Sequence, residues 1–95
     1  MPKKLMRAAI VTAALTVLTP FAAQAADPGP CREYAEAAIR QIRGALNNPR
    51  CLPGLQGARW SSDVEVHYKW CLGASYAAIG SERDARRAYL HTCAF

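Results

Sequence analysis

The chain has 95 residues, with 12 basic and seven acidic side chains and a formal net charge of +5. Three of the basic residues, Lys3, Lys4 and Arg7, lie close to the N terminus, and residues 26–95 keep nine basic against seven acidic side chains, a net charge of +2. This small excess argues against a nucleic-acid-binding protein, because such domains are usually strongly basic. The 70 residues from position 26 onward suffice for one domain, whose core alone would be marginal.

The N-terminal segment has the three parts of a secretory signal peptide. A basic start is followed by an uncharged apolar run over 8–18, and residues 23–25 place alanines at the two positions that a signal peptidase reads. We predict that residues 1–25 are removed and that the mature protein is periplasmic or secreted. An apolar run of 11 residues is shorter than the roughly 20 that span a bilayer. We therefore expect no stable membrane insertion after cleavage.

The mature chain begins with a short leader and a first helix. Residues 26–30 contain Asp-Pro-Gly-Pro and predict a turn-like leader. From position 31 the apolar residues follow helical spacing, and Asn47 with Pro49 ends the pattern, so a helix is predicted over 31–46. Its apolar face consists of Cys31, Ala35, Ala38, Ile39, Ile42, Ala45 and Leu46.

A second helix is predicted after a loop over 50–61. Ser62 and Glu65 have the spacing of a capping box, with Ser62 as the N-cap. Gly73 weakens this helix, and the sequence leaves open whether 73–80 extends it or forms a loop. The apolar side carries Val64, His67, Tyr68, Cys71 and Leu72.

A third helix is predicted over 82–93. Gly80 ends the preceding segment, and Ser81 to Asp84 offer a new N terminus. Arg83, Arg86 and Arg87 form the densest basic cluster of the chain, which we interpret as a solvated face. The buried stripe is predicted to contain Ala85, Ala88, Tyr89, Thr92 and Cys93.

Four cysteines stand at Cys31, Cys51, Cys71 and Cys93, at intervals of 20, 20 and 22 residues. An even number in a short exported chain indicates disulfides, and no Cys-x-x-Cys motif suggests redox exchange, zinc or haem. Short connections favour antiparallel neighbouring helices, which places Cys31 with Cys71 at one end and Cys51 with Cys93 at the other. Bridged Cα atoms lie within about 7 Å, whereas Cys31 and Cys51 flank a helix about 24 Å long. The sequence thus predicts an all-α three-helix bundle stapled by Cys31–Cys71 and Cys51–Cys93, with no cofactor.

The spacing of these residues resembles a short cysteine-rich helical module of small exported proteobacterial proteins. The resemblance covers almost the whole mature chain and implies export and a helical fold, with no activity attached to it. The segments that carry it are Cys31-Arg-Glu-Tyr34-Ala35, Gly57-Ala-Arg59-Trp60, His67-Tyr-Lys-Trp70-Cys71 and Glu82-x-x-x-Arg86-x-x-x-Leu90-x-x-Cys93.

His67 is the side chain whose position suggests a chemical role most directly. Asp63 lies one helical turn before it and could share an ion with it, but a zinc site needs three or four protein ligands. No metal site is therefore predicted, and we expect a half-buried histidine that packs against Trp60 or Trp70 and hydrogen-bonds across the bundle. Because histidine changes charge near pH 6.5, His67 is a candidate for a pH-sensitive group.

Aromatic residues are numerous for a domain of this size. We expect Trp60, Tyr68, Trp70 and Tyr76 to serve mainly as core, because the chain has few large aliphatic side chains. Trp70 falls toward the flank of the second helix, together with Val66. The Val66–Trp70 edge is therefore the candidate contact surface.

The serines and paired carboxylates fall at helix starts and loops, where caps and the helix dipole explain them, so no enzyme is predicted. We expect a non-catalytic binding or accessory protein whose partner is another exported protein or an envelope component. Two alternatives remain open. One is a pH- or stress-responsive periplasmic protein of chaperone type, and the other is a small metal-binding protein using His67.

Overall fold

A computed structural model describes residues 26–94, which form three α-helices. They are α1 (Pro28–Leu46), α2 (Val64–Leu72) and α3 (Tyr76–Cys93), and this part of the chain contains no strand. Both α2 and α3 pack against α1. The predicted all-α, disulfide-stapled three-helix bundle is confirmed, whereas the predicted signal peptide, 1–25, lies outside the described residues.

Helix α1 begins three residues earlier than its apolar pattern indicates. Pro28 stands in its first turn, where a missing backbone N–H costs nothing and the fixed φ of proline suits a helix, so 28–30 belong to α1 and not to a leader. The predicted face is buried except at Ile39, which is partly buried, and at its C-terminal end, where Leu46 is exposed. The buried side chains of α1 are Cys31, Tyr34, Ala35, Ala38, Ile42 and Ala45.

Helix α2 ends at Leu72, so residues 73–80 do not extend it, and its N-cap is Asp63 and not Ser62. The Asp63 carboxylate accepts a hydrogen bond of 2.9 Å from the backbone N–H of Glu65. Asp63 itself has an extended backbone, and its own N–H donates to the Ser61 hydroxyl at 3.1 Å. Asp is as good an N-cap as Ser, so either of two neighbouring residues could cap α2, and the chain uses the later one.

Helix α3 begins at Tyr76, six residues before the predicted start, and Gly80 does not interrupt it. The hydroxyl of Ser75 accepts from the Ala78 N–H at 3.1 Å and caps the helix, and the buried Ile79 anchors its first turn. A glycine inside a helix costs about 1 kcal/mol relative to alanine, which such anchoring offsets. Residues 73–75 are therefore the whole connection between α2 and α3.

The buried line of α3 also differs from the predicted stripe. Its buried residues are Ile79, Arg86 and Cys93, spaced seven apart, whereas Ala88 and Thr92 are exposed. The stripe prediction failed because it excluded an arginine from the core. The helix is rotated so that Arg86 faces α1, and the prediction of a solvated face for Arg86 is wrong.

Two disulfides fasten the two ends of the bundle. Cys31–Cys71 and Cys51–Cys93 have Cα–Cα distances of 5.5 and 5.1 Å, and all four half-cystines are buried. Bonds of this kind form and persist in oxidising compartments. Each disulfide lies in its own apolar cluster. Tyr34 and Ile79 belong to the cluster of Cys31–Cys71, and Ala45 belongs to that of Cys51–Cys93. Within 26–94, no helix has the length and apolar character needed to cross a membrane.

Candidate binding groove

An open groove of about 610 Å³ lies where the loop between α1 and α2 meets α2 and α3. Four aromatic side chains border it, together with the charged pair Arg59 and Glu82 and the imidazole of His67. Each of the three helices and the loop contributes to the wall. The four aromatic residues are Tyr34, Trp60, Trp70 and Tyr89.

The loop wall of the groove depends on Gly57. Its φ of 85° and ψ of 177° belong to a region of backbone space that is essentially open to glycine alone. The chain then enters the single helical turn Ala58–Trp60, with the Trp60 N–H donating to the Gly57 carbonyl at 3.1 Å. This turn places Arg59 and Trp60 side by side at the groove.

His67 fastens the end of the same loop to α2. Its Nε2 donates a hydrogen bond of 2.7 Å to the carbonyl oxygen of Ser61, which assigns the proton to Nε2. The side chain is 4% exposed, so it is more deeply buried than the half-buried position predicted for it. The bond runs to the loop and not across the bundle. His67 therefore holds the loop wall in position.

One end of the groove rests against Tyr89 of α3. Its hydroxyl donates to the Cys51 carbonyl at 2.7 Å, and its ring packs on that of Trp60 in a T-shaped arrangement at a centroid distance of 5.3 Å. Gly54 passes directly beside the same ring, where a Cβ would lie 2.7 Å from Cε1 of Tyr89. Close packing here requires glycine at position 54.

The charged side of the groove is an ion pair between the loop and α3. Arg59 donates two hydrogen bonds to the Glu82 carboxylate, at 3.0 Å from Nε and 2.8 Å from Nη2. These bonds hold the pKa of Glu82 below its usual range, against the opposing effect of burial. They also raise the pKa of Arg59. The bidentate geometry fixes the loop turn on α3.

Behind this pair, Arg86 is 1% exposed. Its Nε donates to the Gln41 side-chain oxygen at 2.7 Å and its Nη2 donates to the Tyr34 hydroxyl at 2.9 Å. A third, longer bond of 3.4 Å runs from Nη1 to the Arg59 carbonyl. The guanidinium thereby ties α3 to α1 and to the groove loop.

The predicted contact surface, Val66 and Trp70, forms the outer edge of the groove on α2. Val66 is 38% exposed and Trp70 is 41% exposed, so Trp70 does not belong to the core. The Trp70 ring lies 5.8 Å from that of Tyr34, centroid to centroid, with the planes tilted by 36°. Trp60 and Tyr68 are partly buried, whereas Tyr76 is 56% exposed and the expectation of a core role for it is wrong.

The residues considered for a metal ion are engaged elsewhere. Asp63 caps α2 and His67 is bonded to Ser61, as described above. Residues 26–94 contain no group of three His, Cys, Asp or Glu side chains that could hold a metal ion. The groove therefore offers aromatic faces and one fixed ion pair, which suits it to binding.

Sequence reasoning did not find Tyr34, Glu82 or Arg86 as parts of the site. Tyr34 lies three residues after Cys31 on the buried side of α1, which was a usable signal. The seven-residue spacing of Ile79, Arg86 and Cys93 was a second signal, but it required accepting a charged residue in the core. The pairing of Arg59 with Glu82 had no local signal in the sequence.

Comparisons of this chain with protein-family models, with curated proteins and with solved structures return no match.

Proposed function

We propose that this protein is an exported, non-catalytic binding module that recognises an extended segment of another exported protein in the groove of Trp60 and Trp70. The proposal includes removal of residues 1–25 and residence in the periplasm or outside the cell. The two disulfides support the oxidising compartment. The resemblance to small exported cysteine-rich modules supports the same destination.

The observation that carries the proposal is the exposure of Trp70 at the mouth of an aromatic groove. Tryptophan and tyrosine are enriched among the residues that dominate binding energy at protein interfaces. A tryptophan that is 41% exposed leaves apolar surface in water, and a partner would remove it. Val66 enlarges this apolar edge on the same helix.

The groove also indicates the chemistry of the segment it would take. Aromatic faces accept apolar and proline side chains of an extended chain, as in other aromatic-lined peptide grooves. The outer atoms of the Arg59–Glu82 pair offer a donor and an acceptor to the peptide backbone of such a segment. We therefore expect an apolar or proline-containing segment, with little dependence on net charge.

Site-specific photocrosslinking in intact cells tests the proposal. A photoreactive phenylalanine analogue at Val66 should give one dominant crosslinked protein, whereas the same analogue at Tyr76 should give none. Tyr76 is a matched control because it is an exposed aromatic outside the groove. A synthetic peptide from the crosslinked region should then bind the purified protein and change its tryptophan fluorescence.

Trp70→Ala and Tyr76→Ala separate binding from folding. Truncating a central aromatic anchor costs about 2 kcal/mol or more, a loss of about 30-fold in affinity. Trp70→Ala should show this loss with helix content retained, and Tyr76→Ala should bind like the wild type. Absence of a dominant crosslink at Val66, equal crosslinking at Tyr76, or unfolding of Trp70→Ala would each overturn the proposal.

The alternatives predict other results in the same material. A chaperone-type protein would crosslink to many proteins from Val66 and would bind an apolar dye as helix signal falls at acid pH. A metal-binding protein would retain stoichiometric metal after purification and lose it in His67→Ala.

Intact mass spectrometry of the exported protein tests cleavage and disulfide formation together. It should show a chain that starts at Ala26 and lacks four hydrogens, and an N terminus at Met1 would contradict export by cleavage.

A further inference from the structure

A second cleft, of about 330 Å³, lies between α1 and α3. Three arginines border it, Arg40 from α1 with Arg83 and Arg86 from α3, against one carboxylate, that of Glu33. We propose that this cleft binds a phosphate-type oxyanion. The proposal is independent of the groove described above, because among residues 26–94 the two cavities share Tyr34 alone.

Arg86 is the fixed cation at the base of the cleft. Its short hydrogen bonds go to neutral acceptors, the Gln41 amide oxygen at 2.7 Å and the Tyr34 hydroxyl at 2.9 Å. The nearest carboxylate, Glu82, lies 4.0 Å away and is already held by two bonds from Arg59. A buried guanidinium is costly when its short hydrogen bonds all go to neutral acceptors and its one carboxylate neighbour is shared with Arg59, and an anion in the cleft would lower that cost.

Arg40 and Arg83 supply two exposed cations at the mouth. The guanidinium of Arg40 makes no hydrogen bond or ion pair within the described part of the chain, and that of Arg83 makes a 3.8 Å contact with its neighbour Asp84. The Gln41 amide donates to the Arg83 carbonyl at 3.3 Å and keeps α1 and α3 in register at this level. Both guanidiniums are therefore available for an anion beside Arg86.

The remaining lining restricts the size of the ligand. Glu33 lies seven residues before Arg40, about 10 Å along α1, so the cleft is basic at one end only. A compact oxyanion fits that half-site, whereas a long polyanion would meet the Glu33 carboxylate. Planar guanidinium groups bind phosphate oxygens in bidentate fashion, which favours phosphate over a halide.

A phosphate group could be supplied by the free ion or by the headgroup of an anionic phospholipid. The first arm of the experiment titrates the protein with inorganic phosphate at low ionic strength by calorimetry. NMR of the Arg86 Nε–H reports occupancy at the cleft itself. The second arm measures sedimentation with phosphatidylglycerol vesicles against phosphatidylcholine vesicles.

Matched variants locate the site. Arg40→Gln/Arg83→Gln removes the two exposed cations of the cleft, whereas Arg43→Gln/Arg87→Gln removes two exposed arginines of the same helices that lie outside it. Loss of a charge-assisted hydrogen bond lowers affinity about tenfold or more. We expect that loss in the first variant only, together with loss of the phosphate-induced shift of the Arg86 Nε–H.

Each outcome decides the proposal. Binding of phosphate that the cleft variant loses supports a site for the free ion, and the same pattern with vesicles alone supports a headgroup site. Failure of both probes to bind the wild-type protein overturns the proposal. Equal weakening in the two double variants also overturns it, because binding would then follow the net charge of the surface.

Discussion

Nη2 of Arg86 donates a hydrogen bond of 2.9 Å to the hydroxyl of Tyr34, which lies 52 residues earlier in the chain. The guanidinium carbon also lies 5.2 Å from the centroid of the Tyr34 ring. This pair connects α3 to α1 in the interior, beside the apolar cluster that contains the Cys31–Cys71 disulfide. The packing of α3 on α1 therefore includes a buried polar contact.

Tyr34→Phe removes the acceptor and keeps the ring. We expect the free energy of unfolding to fall by about 1.5–3 kcal/mol, since a hydrogen bond to a charged group is lost and its donor stays buried. Urea denaturation monitored by circular dichroism measures this. Tyr76→Phe, on an exposed tyrosine, should change stability by less than about 0.5 kcal/mol. Equal midpoints for wild type and Tyr34→Phe would contradict the role assigned to this bond.

Two glycine substitutions should have opposite effects. Gly54→Ala introduces a Cβ that collides with the ring of Tyr89, and both the Tyr89–Cys51 bond and the Trp60 contact would have to shift. Overpacking of this kind costs about 1–3 kcal/mol. Gly44→Ala, inside α1 with open space around the new methyl, should stabilise by about 0.5–1 kcal/mol. Thermal melts of both variants measure the direction of each change in stability. A Gly54→Ala variant that melted like the wild type would show that the loop accommodates the added methyl group.

The Cys51→Ala/Cys93→Ala variant removes the disulfide that closes a 42-residue separation. In the chain-entropy model that cross-link contributes about 4 kcal/mol, a large share of the stability of so small a domain. We expect the variant to be largely unfolded at 37 °C by far-ultraviolet circular dichroism. A melting curve that matched the wild type would contradict the structural importance of this bond.

The Arg59–Glu82 ion pair makes the free energy of unfolding depend on pH in the acid range. The pKa of Glu82 is lowered in the folded protein because Arg59 donates two hydrogen bonds to it. The stabilisation is therefore complete above the unfolded-state pKa of about 4.3 and is lost as pH falls through the lower folded-state value.

Denaturation of wild type and Glu82→Gln over this acid range measures the effect. The wild type should lose stability more steeply than Glu82→Gln as pH falls below about 4.3. Arg59→Gln removes the other half of the pair and should flatten the profile in the same way. Parallel profiles for wild type and Glu82→Gln would show that the pair contributes nothing to acid sensitivity.

The helix count and the disulfide pairing could be predicted from the sequence because each rests on spacing along the chain. Apolar periodicity placed α1, and the resulting helix length separated Cys31 from Cys51. The start of α3 could not be placed in this way. Gly80 is a strong local signal for the end of a helix, but the packing of Ile79 keeps the chain helical through Gly80.

The candidate site was only partly accessible to the same reasoning. The angular position of Trp70 on α2 indicated its exposure correctly. Arg86 was missed because a charged residue is assigned to the surface by default, and its three acceptors come from distant segments of the chain. Partners brought together only by the fold leave no pattern in a local window.

The two disulfides are interleaved, because Cys51 lies between Cys31 and Cys71 in the chain, and Cys71 lies between Cys51 and Cys93. In a chain that emerges N terminus first, Cys31 and Cys51 become available together while Cys71 is still to come. Pairing in order of appearance would join the wrong partners at the first opportunity. Correct maturation therefore requires that oxidation wait for the complete helical hairpin, or that a thiol–disulfide isomerase exchange the first bond.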